Sequence, residues 1–248
     1  MATVAGRLAF VTGAGSGIGR EICKVLATGG VKVIATDRNV SSAEETLSSL
    51  RGNGHLALEM EVTNSLNIDK TLKIIRDHFV QPPTIVVNSA GVTRDNFVLS
   101  LTEDQFDEVI NVNLKGTFLV MQKTAQEMIT AGVSSGASII NISSIIGKTG
   151  NIGQSNYSAA KAGVVAITKT ASMEFGQFGI RVNAILPGFI ETPMTETVPD
   201  KVKEMFVKRV PLRRMGKPKE IADVVYFLAS DSSSYINGTS IEVTGGMT

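Results

Sequence analysis

The 248-residue chain has no tryptophan, one cysteine and two histidines. It has no apolar run approaching the roughly 18 residues that a membrane-crossing helix needs. A lone cysteine, Cys23, excludes an internal disulfide and suits a reducing compartment; on the first helix it reads as a small buried apolar residue. His55 and His78 stand apart from any ligand partner at useful spacing, so no metal site is expected, and His78 suits the C-terminal end of a helix dipole. The formal net charge is +1, which supplies no global field to recruit nucleic acid or a membrane surface. The stretch Met-Ala-Thr-Val-Ala-Gly-Arg ahead of the first apolar run is too short for a signal or transit peptide. The expectation is therefore the cytosol, or an import signal that is cryptic, internal or removed.

What is present is a globular pattern. Hydrophobic residues make up 43% and charged residues 19%, enough for a sizeable core in one large α/β domain. Apolar, β-branched runs at 8–12, 31–36, 55–62, 85–89, 138–143, 180–186 and 240–243 lack strict polar alternation, as strands covered on both faces do. Helical patterns at 19–28, 65–79, 116–131, 157–175 and 218–229 lie between them, and Thr102-Glu103-Asp104-Gln105 reads as a capping box opening another. Such alternation predicts a Rossmann-like, doubly wound α/β fold: a seven-stranded parallel sheet, order 3-2-1-4-5-6-7, with helices on both faces. No linker or repeat divides the chain, so a single domain over 1–248 is expected, with a cofactor half to about residue 140 and a catalytic half after it.

Thr12-Gly13-Ala14-Gly15-Ser16-Gly17-Ile18-Gly19 follows the first strand and opens a helix. Glycines there permit a tight turn and close approach of the backbone to a pyrophosphate, while the helix N-terminal amides face the anion. The spacing is Gly-x-x-x-Gly-x-Gly rather than Gly-x-Gly-x-x-Gly, so its placement after strand one carries the inference. Asp37 ends the second strand, where a carboxylate can accept from the ribose hydroxyls of an adenosine and repel a 2′-phosphate. Arg38 follows and could hold that phosphate; weighing the two gives NAD(H) over NADP(H).

Tyr157 and Lys161 are four apart and share one helix face. A free phenol ionises near pH 10. An ammonium about 5 Å away, at an effective dielectric of about 20, stabilises phenolate by roughly 3 kcal/mol, or about two pKa units of depression. Ser144 is too weak an acid for that task and suits a hydrogen bond to a substrate oxygen where charge develops. Proton transfer beside a dinucleotide points to hydride transfer at a C–O bond.

With these motifs in place, the chain resembles the short-chain dehydrogenase/reductase family over essentially its whole length. The matching residues are Thr12–Gly19, Asn88-Ser89-Ala90-Gly91, Asn113, Ser144, Tyr157-x-x-x-Lys161 and Pro187-Gly188. The resemblance implies that Asn113 interrupts its helix and holds a water that links Lys161 to solvent. It implies that Lys161 binds the nicotinamide ribose and that Asn88, Ala90 and Gly91 line the cofactor. It also puts Glu61 and Val62 near adenine, and Pro187, Gly188, Ile190 and Thr192 at the nicotinamide end. Within the family, 150–157, 186–195 and 243–247 resemble 3-oxoacyl-[acyl-carrier-protein] reductases. Segments 82–83, 112–120 and 145–151 are more similar to the animal type 8 17β-hydroxysteroid dehydrogenases.

A ketone/secondary-alcohol oxidoreductase acting on a 3-oxoacyl thioester or a hydroxysteroid follows from that resemblance, with a tetramer and the mitochondrial matrix as further implications. Bacterial carrier reductases carry basic residues at the ends of two helices; the matching stretches 129–132 and 172–174 here carry none. This favours the alternative of a partner subunit in a heteromeric reductase whose other chain docks the carrier protein. Residues 201–219 hold eight lysines and arginines and are expected to cover the substrate as a lid. Their charges suit either a coenzyme phosphate or, with greater weight, a solvated helix face.

Overall fold

The computed structural model describes residues 4–247. Seven parallel strands form one sheet in the order β3-β2-β1-β4-β5-β6-β7. They are β1 Leu8–Thr12, β2 Lys32–Asp37, β3 Leu56–Glu59, β4 Ile85–Asn88, β5 Ser138–Ile142, β6 Arg181–Pro187 and β7 Ser240–Val243. The helices between them are α1 Gly17–Thr28, α2 Val40–Ser48, α3 Ser65–Phe79, α4 Glu103–Val109, α5 Thr117–Thr130, α6 Ile146–Thr149, α7 Ser155–Gly176, α8 Pro193–Glu196, α9 Asp200–Arg209 and α10 Pro218–Ala229. The topology expected from the sequence is therefore the one observed.

Alternate residues of each inner strand feed two separate cores. Ala9, Val11, Val33, Ala35, Val87 and Ile140 pack with Ile22 and Leu26 of α1 and with Val225 and Leu228 of α10. Phe10, Ile34, Val86 and Ile139 face the other way, onto Ile68 and Ile75 of α3 and Val120 and Met128 of α5. Both sets are apolar because both faces of the sheet are covered, which is why the strands show no polar alternation.

Several local features differ from expectation. Strand β3 is shorter than the 55–62 run because it is the sheet edge, half-exposed along its length. Helix α2, capped by Asn39 accepting from Ser41 N at 3.1 Å, carries only Ala43 and Thr46 as buried residues and so shows little periodicity. The segment expected to act as a lid, 201–219, holds helix α9, a connecting loop and the start of α10. Much of its charge is spent on the chain itself: Lys203 pairs with Asp200, Arg214 with Glu220 and Lys219 with Asp223. No described helix is long and apolar enough to cross a membrane.

The turn after β1 is fixed from below. Thr12 Oγ1 accepts from Ser89 N (3.1 Å) and Ala90 N (3.2 Å), drawing the β4 loop against Gly13. Gly13 sits at φ +64°, and a Cβ there would lie 2.7 Å from Ala90 Cα. Gly136 has a similar φ of +76° but open space around its would-be Cβ. Alanine at Gly136 is expected to cost only the left-handed strain of about 1–2 kcal/mol, or roughly 2–8 °C in thermal midpoint for a chain of this size. Gly13→Ala adds a backbone collision and is expected to lower the midpoint at least twice as far; equal shifts in thermal denaturation would show that the close approach is not what requires glycine.

Candidate active site

The C-terminal ends of β1, β2, β4, β5 and β6 open into a cleft of about 370 Å³. Its walls include Gly13, Ser16, Gly17, Ile18, Gly19, Asp37, Arg38, Glu61, Val62, Ala90, Gly91, Ser144, Tyr157, Lys161, Pro187, Gly188, Ile190 and Thr192. Residues far apart in the sequence thus meet at one place, as open parallel sheets arrange where strand order reverses.

At one end, α1 begins without any side-chain cap on Ser16 and without an acidic residue in its first turn. Its first amides therefore lack helical acceptors and face the cleft with the positive end of the helix dipole. The atoms nearest the would-be Cβ of Gly17, which sits at φ +50°, belong to Thr192 and Pro193 across the cleft, at 3.5–3.7 Å. Gly19 is required by packing, since a Cβ would fall 2.1 Å from Gly13 O. An uncapped helix start behind a bare glycine turn fits the pyrophosphate of a dinucleotide.

Asp37 lies beside this turn. Its Oδ2 accepts from Gly15 N at 3.0 Å and its Oδ1 from Asn39 N at 3.1 Å. Gly15 is absent from the cleft wall; its amide holds the carboxylate, and a Cβ would stand 2.8 Å from Asp37 Oδ2. Glu61 reaches the wall, but its Oε1 accepts from both Thr63 N and Thr63 Oγ1 at 3.1 Å, closing a local turn.

At the other end, Ser144 follows β5, and Tyr157 and Lys161 rise from the first two turns of α7. Lys161 is 4% exposed, with Nζ 5.5 Å from the Tyr157 ring centroid and donating to Ile142 O at 2.8 Å. Ser143 Oγ donates to Lys161 O at 2.7 Å, fastening the helix to the strand end. Burial pushes the Lys161 ammonium down to about 8. Burial also pushes the Tyr157 phenol up to about 12, opposed by the Ser144 hydroxyl and reinforced by the Asp95 carboxylate. This corrects the expected depression of the phenol. Loss of solvent around the phenol outweighs the help expected from the neighbouring ammonium.

Asn113 and Asn88 stand outside the cleft wall. Asn113 is fully buried at the centre of a π-helical stretch, Ile110–Gly116, between α4 and α5. Its Oδ1 accepts from Val92 N at 2.8 Å and its Nδ2 donates to Val92 O at 2.9 Å, while a Cβ on Gly91 would lie 3.4 Å from Asn113 Oδ1 and 3.7 Å from Lys161 Nζ. Asn88 points into the interior, donating to Asn141 Oδ1 at 2.8 Å, so it supports the strand ends from behind. Wall residues that motif reading passed over, such as Met60, Val112 and Met194, are apolar and carry no spacing signal of their own. Among the described residues no cluster of histidine, cysteine and carboxylate residues could hold a metal.

Comparison with known proteins agrees with this geometry. The family profile described as Enoyl-(Acyl carrier protein) reductase matches residues 13–248. A human protein named (3R)-3-hydroxyacyl-CoA dehydrogenase is 49% identical, covering 97% of this chain and 95% of its own. A 3-oxoacyl-[acyl-carrier-protein] reductase of Thermotoga maritima is 43% identical over 98% of each. An Agrobacterium tumefaciens structure with bound NADP, described as a 2-deoxy-D-gluconate 3-dehydrogenase, superposes with a TM-score of 0.89 at 33% identity, covering 99% of this chain and 97% of that one. A glycine turn, a serine–tyrosine–lysine cluster and whole-length likeness to such enzymes place the chain in the short-chain dehydrogenase/reductase family, as an NAD(P)-dependent oxidoreductase acting on CH–OH groups and the corresponding ketones.

Proposed function

We propose that this chain interconverts 3-oxoacyl and 3-hydroxyacyl thioesters with NAD(H). The observation that carries the reading is the convergence of Ser144, Tyr157 and Lys161 at one end of a cleft whose other end is the glycine turn. The human and Thermotoga relatives, named for a 3-hydroxyacyl-CoA and a 3-oxoacyl-carrier substrate, support the thioester. Asp37 supports NAD(H), because a carboxylate at the adenosine end opposes a 2′-phosphate; Arg38 beside it is the feature that favours NADP(H).

In this reading the helix start at Gly17 and the Asp37 carboxylate would hold the dinucleotide, and Lys161 would bind its nicotinamide ribose. When bound, that cofactor supplies hydride at nicotinamide C4. Ser144 Oγ donates a hydrogen bond to the substrate carbonyl oxygen, and the Tyr157 hydroxyl gives that oxygen its proton. A phenol pushed up to about 12 is fully protonated at neutral pH, which is the state that reduction consumes. The Lys161 ammonium then offsets the negative charge left on Tyr157, and a proton returns to Tyr157 from solvent by way of Asn113 and Lys161. Preorganised donors on strand and helix ends supply the rate because they need no rearrangement as charge develops.

The residues shared with hydroxysteroid dehydrogenases make a 17-position hydroxysteroid the second substrate to assay. We also infer a tetrameric assembly in the mitochondrial matrix, from family resemblance. The relatives matched along their full length are named as enzymes, which does not favour a purely accessory subunit.

Purified protein is expected to reduce acetoacetyl-coenzyme A faster with NADH than with NADPH, and faster than it oxidises estradiol with NAD. Tyr157→Phe is expected to lower that turnover by about 10²–10⁴-fold, the usual contribution of a positioned acid. A phenylalanine variant as fast as the parent would remove Tyr157 from the chemistry. Turnover should also depend on pH with a defined sign. Lys161, lowered to about 8, is charged below that pH and neutral above it. Reduction is therefore expected to hold level from pH 6 to 7.5 and decline as pH rises through about 8; a flat profile to pH 9.5 would show that the lysine charge is not required.

A further inference from the structure

The loop after β4 and the segment entering α7 are laced together in antiparallel order. Asn96 N donates to Gly153 O at 2.8 Å. Gln154 Nε2 donates to Asp95 Oδ2 at 2.9 Å. Asn156 Nδ2 donates to Arg94 O at 2.9 Å and to Gln105 O of α4 at 3.1 Å. The innermost rung is the buried one: Asn156 has no exposed surface, and its Oδ1 accepts from Tyr157 N at 2.8 Å. One side chain thus spends both amide protons and its carbonyl oxygen on three elements, one of them the backbone of Tyr157 itself. The outer rung is braced in turn, because Asn151 Nδ2 donates to Gln154 Oε1 at 2.9 Å.

This lacing sits where it has most effect. Tyr157 projects from the first turn of α7, where helix amides lack intrahelical acceptors and ends fray. Gln154, the residue before the helix, makes no side-chain cap. The Lys161 end of the pair is fastened to β5 through Ser143 and Ile142. At the Tyr157 end the corresponding backbone fastening is Asn156, which ties the Tyr157 amide to the β4 loop and to α4. Misplacing a reacting group by about 1 Å can cost on the order of a hundred-fold in rate.

We propose that Asn156 is a positioning residue for Tyr157, held to that task by the Asp95–Gln154 rung. The inference rests on the reading of Tyr157 as proton donor, so Tyr157→Phe is measured beside it with the same substrate, acetoacetyl-coenzyme A, and NADH. Asn156→Ala is expected to lower kcat by roughly 10–100-fold while KM and the NADH dissociation constant stay within about two-fold of the parent. Asp95→Ala removes the outer rung without entering the core and is expected to lower kcat about 3–10-fold. Asp95→Asn keeps an acceptor for Gln154 and is expected to recover most of that loss. A folded Asn156→Ala with parental kcat, a kcat loss matched by equal loss of NADH affinity, or an Asp95→Asn as impaired as Asp95→Ala would each overturn the proposal. Should Asn156→Ala fail to fold, the two Asp95 variants decide alone. A fully active Tyr157→Phe would instead overturn the proton-donor reading, whereas an inactive one beside fully active Asn156 and Asp95 variants overturns only the positioning role.

Discussion

The Lys161 ammonium has been taken almost wholly out of water and given one carbonyl, Ile142 O, in return. A buried cation costs several kcal/mol unless its surroundings compensate, and the compensation here is local and directional. It requires the end of β5 to present a free carbonyl and α7 to lie hard against it. Ser143 supplies the second fastening through Lys161 O, and Gly147 supplies the room, since a Cβ there would lie 2.7 Å from Lys161 C. Position of helix, position of phenol and proton affinity of the amine are therefore one arrangement rather than three.

Opposite this end, the sheet is tied by a different cation. Arg7 donates to Ala229 O at 2.7 Å, Thr84 O at 2.8 Å and Gly136 O at 3.0 Å, joining the chain start to β4, the β5 entry and the end of α10. Burial holds its guanidinium below its ordinary range, with Asp231 opposing. The planar fork matches several carbonyls at once, as a lysine would not. Structural charge thus sits at the strand N-termini and working charge at the C-termini.

Most of the architecture was legible because its signals are local. Strands buried on both faces read as unbroken apolar runs, and Thr102 with Gln105 formed the capping box their spacing announced. The edge strand β3 and the weakly buried α2 were harder, because little apolar surface marks them. In the site, the four-residue spacing of Tyr157 and Lys161 was enough to bring them together. The sign of the phenol shift was not readable, since it depends on how much solvent each group loses, and that is a property of the packed cleft. Asn88 is a related case: a strand-end asparagine looks the same in sequence whether its side chain faces the cleft or Asn141. Asn156 escaped notice because an asparagine beside a glycine-rich loop resembles any polar turn residue.

The amide of Gly15 and the carboxylate of Asp37 are bonded to each other at 3.0 Å. The group that would discriminate between two coenzymes is thereby also a strut of the loop that would grip either one. A change of coenzyme preference at this position is therefore not a matter of charge alone. Truncating Asp37 would take the acceptor from Gly15 N along with the charge, so an exchange of coenzyme would have to keep an acceptor there, as an asparagine does, or brace that turn anew.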